Sequence, residues 1–202
     1  MTHFRSATAA DAEEVADVLA QAFATDPLWG PTLARPDGST AHLARYWGFF
    51  VRAALRTPWV TISSADGVGV DAVAVWVPPG ETELEDDEVA ELLDLVDEEL
   101  PGLREVLLEL FARFEATHPH EEPHYYLSLL ATRDAARGRG LGMELLRHDL
   151  ARMDAERVPS YLESSNPGND TRYGSVGYVA VGSFTHPTTG AVVTAMWRPV
   201  GG

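Results

Sequence analysis

Tyr125-Tyr126-Leu127-Ser128-Leu129-Leu130-Ala131-Thr132 reads as a strand, and Arg137-Gly138-Arg139-Gly140-Leu141-Gly142 follows it as a glycine-rich turn. From about Leu141 to Glu156 the pattern is helical, so the turn lies between a strand and a helix N-terminus. Backbone N–H groups and the positive end of the helix dipole can face an anion there. Glycines without Cβ atoms let the backbone take positive φ and approach a diphosphate closely, while Arg137 and Arg139 supply charge at the rim. A dinucleotide-binding fingerprint would need glycine where Met143 stands and would normally follow the first strand; neither condition holds. A glycine-rich turn without any ligand is the plainer alternative.

Downstream, Ser160 to Ser165 reads as a strand, a short helix is expected near Thr171, and Tyr178 to Thr185 and Ala191 to Trp197 read as final strands. Upstream, His3 to Ala7 is a short strand, and Thr8 to Asp11 resembles a capping box ahead of Val15, Val18, Leu19, Ala22 and Phe23 on one helical face. Asp26-Pro27 breaks that helix, and a second runs from about Ser39 to Arg56. Trp59 to Ser64 and Val68 to Val77 are strand-like, and Asp66-Gly67 between them signals a tight hairpin. Two apolar stripes follow, Val89, Leu92, Leu93, Val96 and Leu100, then Val106, Leu107, Leu110, Phe111 and Phe114, with Pro101-Gly102 between them. Residues 81–122 are therefore expected as a helical insertion between the third and fourth strands. The order predicts an α/β fold, a mixed central sheet with flanking helices, in one domain spanning 1–202.

Arg137, Gly140 and Gly142 in the spacing Arg-x-x-Gly-x-Gly resemble the coenzyme A signature of the GNAT N-acetyltransferase superfamily. The segment Leu162-Glu163-Ser164-Ser165-Asn166-Pro167-Gly168-Asn169, then Tyr173 and Gly177-Tyr178, is similar to that family's pattern of strand, asparagine, catalytic tyrosine and Gly-aromatic. Ala22-Phe23-x-x-Asp26-Pro27 resembles the puromycin N-acetyltransferase-like members. Two departures stand out: Thr132-Arg133-Asp134 replaces their usual Val-x-Pro, and Gly174-Ser175 replaces the commoner Glu-Arg.

The resemblance implies acetyl-CoA as co-substrate and a primary amine of a small molecule as acceptor, with direct attack in a ternary complex. An alkyl ammonium with pKa near ~10 must lose a proton before it attacks the thioester. The tetrahedral oxyanion needs a donor, which the resemblance places in a backbone N–H of the Leu129 to Ala131 strand, splayed from its neighbour. Leu130, Ala131, Thr132, Arg137, Gly138, Arg139, Gly140, Leu141, Gly142 and Asn169 are the coenzyme contacts it implies, although Asn169 could equally cap the short helix. Tyr173 is the candidate acid for the departing thiolate, with ring packing as the alternative. Glu163 is the candidate base, expected half-buried on the strand face opposite Leu162 and Ser164; a structural hydrogen-bonding role is the alternative. A catalytically idle acyl-CoA-binding module is the other reading of the same motifs.

Composition prunes the field. There is no cysteine, which excludes thiolate chemistry, and all 15 basic residues are arginine, which excludes lysine chemistry. A formal charge of -16 argues against nucleic-acid binding and suits a basic or neutral small substrate, or simply solubility. No signal peptide or membrane span is read, and a cytoplasmic protein is expected. The acidic run Glu85-Asp86-Asp87-Glu88 is read as a solvated face, and oligomeric state is not legible. His118-Pro119-His120-Glu121-Glu122-Pro123-His124 matches no zinc spacing and is expected as an irregular surface loop, with no metal site.

Overall fold

The computed structural model describes residues 2–201. Its elements in chain order are β1 (His3–Ser6), α1 (Ala12–Phe23), α2 (Trp29–Thr32), α3 (Leu43–Ala54), β2 (Val60–Ser64), β3 (Ala72–Val77), α4 (Asp86–Glu99) and α5 (Arg104–Thr117). They continue as β4 (Tyr125–Thr132), α6 (Leu141–Glu156), β5 (Ser160–Ser164), α7 (Asp170–Gly174), β6 (Val179–Thr185) and β7 (Val192–Arg198). The seven strands form one mixed sheet in the order β1-β2-β3-β4-β5-β7-β6, in which only β4 and β5 pair in parallel.

Side-chain alternation divides the core between the two faces of the sheet. Val73 and Val75 of β3 join Val15, Leu19, Trp47, Val51, Leu92 and Leu110, so α1, α3, α4 and α5 cover one face. Ala72, Ala74 and Trp76 join Leu141, Leu145, Leu146, Leu150 and Met153, so α6 covers the other. The small alanines bring α6 close to the strands, and each fully buried leucine stabilises the packing by ~1.5–3 kcal/mol. α4 and α5 occupy the connection between the adjacent strands β3 and β4.

The sequence expectations differ from the structure at two points. Asp66-Gly67 does not form a two-residue hairpin turn, because the β2–β3 ladder closes at Ser63 and Ala72 and residues 65–71 make a longer connection. Glu14 and Arg133 hold that connection instead: Arg133 donates to the Val70 carbonyl at 2.8 Å, and Glu14 accepts from the Val70 N–H at 3.1 Å. The second expected helix starts later, at Leu43, and the short α2 precedes it.

Two irregularities in β4 position the site. Val75 pairs with Leu129 and Trp76 with Leu127, so Ser128 is an extra, bulged residue. The bulge moves β4 side chains between faces: Leu127 lies with the α6-side cluster and Leu129 with the opposite one. Beyond Leu127 and Leu162, the last pair of the β4–β5 ladder, the two parallel strands separate. Leu129 to Thr132 then pair only with β3, while Glu163 and Ser164 pair only with β7.

Candidate active site

The turn from Arg137 to Gly142 sits at the N-terminus of α6, as its residue pattern predicts. Gly138 and Gly140 have φ of 78° and 80°, a region costly for any side chain, and both face open space. Among the described residues, the N–H groups of Gly138 to Met143 meet no acceptor, so a run of donors and a helix dipole end point the same way. Arg139 is exposed and forms no ion pair among the described residues. Arg137 is folded back, 3.1 Å from Asp134 and 3.4 Å from the Ala22 carbonyl. Leu141 does not face the turn's open side; it is buried beneath it in the α6-side core.

The opening between β4 and β5 leads into a cavity of about 920 Å³. Its walls include Phe23, Trp29, Trp47, Phe50, Phe111 and Phe114, together with the carboxylates Glu83 and Glu163. Leu129, Leu130, Asn169 and Tyr173 line it as well, whereas Ala131, Thr132 and the glycine turn do not. The candidate residues therefore fall into two groups, joined by the end of β4. Ser165 of the segment after β5 reaches back across the site, its hydroxyl donating to Asp26 Oδ2 at 2.8 Å. Asp26 Oδ1 in turn accepts the N–H groups of Leu28 and Trp29 at 2.9 and 3.1 Å, which fixes the start of α2.

Glu163 is more deeply placed than its alternation suggests: its side chain is 1% exposed. Neither carboxylate oxygen meets an aligned donor. Burial pushes this carboxyl up to about 8, the Tyr161 and Tyr126 hydroxyls offset that only in part, and Glu83 adds to the rise. Glu83 has the same tendency from burial, offset in part by a hydrogen bond from Ser128 Oγ. The bulge at Ser128 is what delivers that hydroxyl to the cavity side. Glu83 and Glu163 beside aromatic walls, Glu163 with no hydrogen-bond donor of normal geometry among the described residues, favour a cation as occupant.

Tyr173 stands on α7 at the cavity wall, edge-on to Tyr178 at 6.1 Å between centroids. Burial pushes its phenol up to about 12, with Asp26 and Asp170 adding to the rise, so it is held protonated as a donor. Asn169 precedes α7 but caps nothing with its side chain; its Oδ1 accepts from Arg172 at 3.1 Å. Asn166 takes the local capping role, accepting the Gly168 N–H at 3.0 Å.

The histidine loop is not merely a surface feature. His118, His120 and His124 line the cavity, and His118 packs against Tyr126 and Tyr161 at 4.9 Å from each ring. Sequence reasoning also passed over Glu83, Tyr126 and Ser128, and the last two carry the one readable signal, an alternating strand broken by a polar residue. Trp47 and Phe50 of the aromatic run on α3 reach the cavity, while Tyr46 is buried in the core behind it.

Neither a family model nor a curated protein matches this chain. Solved structures resemble it over their full lengths. A structure described as histone acetyltransferase HPA2 and related acetyltransferase from Corynebacterium glutamicum is 25% identical, covers 100% of this chain and 97% of its own, and has a TM-score of 0.71. Arylalkylamine N-acetyltransferase 2 from Aedes aegypti is 16% identical, covers 99% of each chain, and has a TM-score of 0.68. Polyamine N-acetyltransferase from Drosophila melanogaster is 15% identical, covers 98% of this chain and 100% of its own, and has a TM-score of 0.67. The fold is that of the GNAT acetyltransferases, and the 25% identical structure makes acetyltransferase the enzyme class of the chain.

Proposed function

We propose that this acetyltransferase moves the acetyl group of acetyl-CoA to a primary amine of a small molecule, by direct attack in a ternary complex within the opening between β4 and β5. The observation that carries the reading is the junction of two complementary sites: unpaired turn donors on one side, and on the other a carboxylate-bearing aromatic cavity that reaches Leu130 and Tyr173. The turn fits a diphosphate, because its N–H groups have no competing acceptor and Arg139 is free to approach. Thr132, Ala131 and Leu130 would run alongside the coenzyme, with backbone donors of the unpaired β4 edge available to the oxyanion.

Within the cavity, Glu163 takes the proton from the acceptor ammonium. A buried carboxyl pushed up to about 8, with no ion-pair cation to hold it ionised among the described residues, suits a base that takes a proton from the arriving amine. Tyr173, protonated throughout the assay range, donates to the departing sulfur. Glu83 and the aromatic walls favour an acceptor with an apolar or aromatic body behind its amine. The likeness to an arylalkylamine N-acetyltransferase supports that class, and the Asp26–Ser165 contact gives the puromycin N-acetyltransferase-like segment a role in shaping the cavity. The test is release of free thiol from acetyl-CoA against a panel of primary amines. Steady, amine-dependent release is expected; tight coenzyme A binding without turnover would contradict the reading and leave a binding module.

A further inference from the structure

Glu163 is enclosed once an amine fills the cavity in front of it, so the proton it accepts needs another way out. Beside it, further along the cavity wall, His118 Nδ1 stands 3.9 Å from Glu163 Oε1. His118 Nε2 is 3.0 Å from His124 Nε2, and His124 Nδ1 is 2.7 Å from the Glu122 carbonyl oxygen. These contacts fix the tautomers. A carbonyl only accepts, so His124 carries its proton on Nδ1 and offers the lone pair of Nε2. His118 must then donate from Nε2, which leaves its Nδ1 lone pair facing the carboxyl. From His118 Nδ1 to His124 Nε2 the lone pairs and N–H groups are ordered to pass a proton away from Glu163.

We infer that His118 and His124 form a proton path that drains Glu163 to solvent during turnover; the inference rests on the reading of Glu163 as the base. The ammonium gives one proton to the Glu163 carboxylate, leaving a neutral amine and a carboxylic acid. The acid then gives that proton to His118 Nδ1 as His118 Nε2–H passes to His124 Nε2, and the partly exposed His124 ring releases its Nδ1 proton to water when its bond to the Glu122 carbonyl opens. A small rotation of the carboxyl closes the 3.9 Å step. Both rings regain their starting tautomers by exchange with solvent, to which each is partly exposed.

The surroundings suit transit rather than storage. Burial, together with His124 and His120, pushes His118 down to about 4, so it stays neutral and does not trap the proton. The groups facing it are Glu163 and Tyr161 from β5, Tyr126 from β4, and His120 and His124 from its own loop. Glu115 of α5 lies 3.5 Å from His120, and Glu121 and Glu122 belong to the same loop. Among the described residues no group of three or more His, Asp or Glu is arranged to hold a metal ion.

The test compares H118F, H124F and E163Q with the wild type in amine-dependent thiol release, with and without added imidazole, across pH. Phenylalanine keeps the ring packing against Tyr126 and Tyr161 and removes the nitrogens. Both histidine variants are expected to bind acetyl-CoA normally, lose kcat by roughly 10- to 100-fold, and recover it with imidazole, while the wild type ignores the buffer. Loss of kcat without rescue would assign the histidines a packing role and overturn the path. Wild-type kcat in H118F and H124F, with E163Q impaired, would overturn the path and leave the base standing. Wild-type kcat in E163Q would remove the base and, with it, the path.

Discussion

A β-carbon added at Gly142 would stand 2.8 Å from Thr132 Oγ1, so the first turn of α6 rests directly on the end of β4. Glycine is needed here for close approach rather than for backbone conformation. Gly142→Ala should cost about 1–3 kcal/mol of unfolding free energy. In a Thr132→Ala background the same change should cost less than half as much, since the opposing oxygen is gone. Denaturant unfolding of the four proteins of this cycle checks it, and strict additivity would show that the contact is not the cause.

Gly140 has a different constraint, since its φ of 80° faces open space. Gly140→Val forces a β-branched residue into the left-handed region, at a cost on the order of 1–3 kcal/mol, or makes the turn rearrange. Calorimetric titration should show coenzyme A affinity falling by roughly tenfold or more while the fold persists. Unchanged affinity would remove the turn from the coenzyme site.

Glu163 makes stability depend on pH. Its folded-state value near 8 lies above its ordinary value of 4.5, so folding binds its proton more tightly. The associated stability is whole below about pH 4.5 and is lost as pH rises toward 8, where folding must bury a charge. Glu163→Gln removes this dependence. In urea unfolding the variant should gain on the wild type by a few kcal/mol across that window, because each tenfold change in proton affinity is worth ~1.4 kcal/mol. A pH-independent gap would contradict the buried carboxyl.

The acidic start of α4 has a structural task beyond facing solvent. Glu85 stands at the N-cap, its N–H donates to Glu88 at 2.9 Å, and Asp86, Asp87 and Glu88 fill the positive first turn. Glu88→Gln should therefore cost about 0.5–1 kcal/mol of stability, while kcat at saturating amine stays at the wild-type level. Parallel unfolding and steady-state measurements check both parts, and a large fall in kcat with the fold intact would place α4 in the chemistry.

Much of the fold was legible where local pattern and tertiary environment agree. The strand from Tyr125 to Thr132 and the helix from Leu141 to Glu156 have the bounds that their periodicities imply. Asp66-Gly67 misled because a turn propensity cannot show that Glu14 and Arg133 hold a longer connection from far away in sequence. Glu83 was illegible for a similar reason: it follows Pro78-Pro79-Gly80 as an ordinary loop acid, and only the bulge that brings Ser128 to it makes it part of the cavity. His118 looked like a solvent residue because its partners, Glu163 and His124, lie on a distant strand and beyond two prolines.

The central claim is that acetyl transfer takes place between β4 and β5 with Tyr173 at the leaving sulfur, and Tyr173→Phe tests it most directly. The substitution removes one hydroxyl and keeps the ring that packs near Tyr178. With the phenol held near 12, the wild type should show no alkaline fall from this group in an ordinary pH range, so the variant must be compared by rate. Under conditions where chemistry limits turnover, kcat for thiol release should drop about 10²- to 10⁴-fold while acetyl-CoA affinity stays within roughly a few-fold. A variant that retains nearly full kcat would contradict the account, leaving Tyr173 as a wall of the cavity and not the donor to the thiolate.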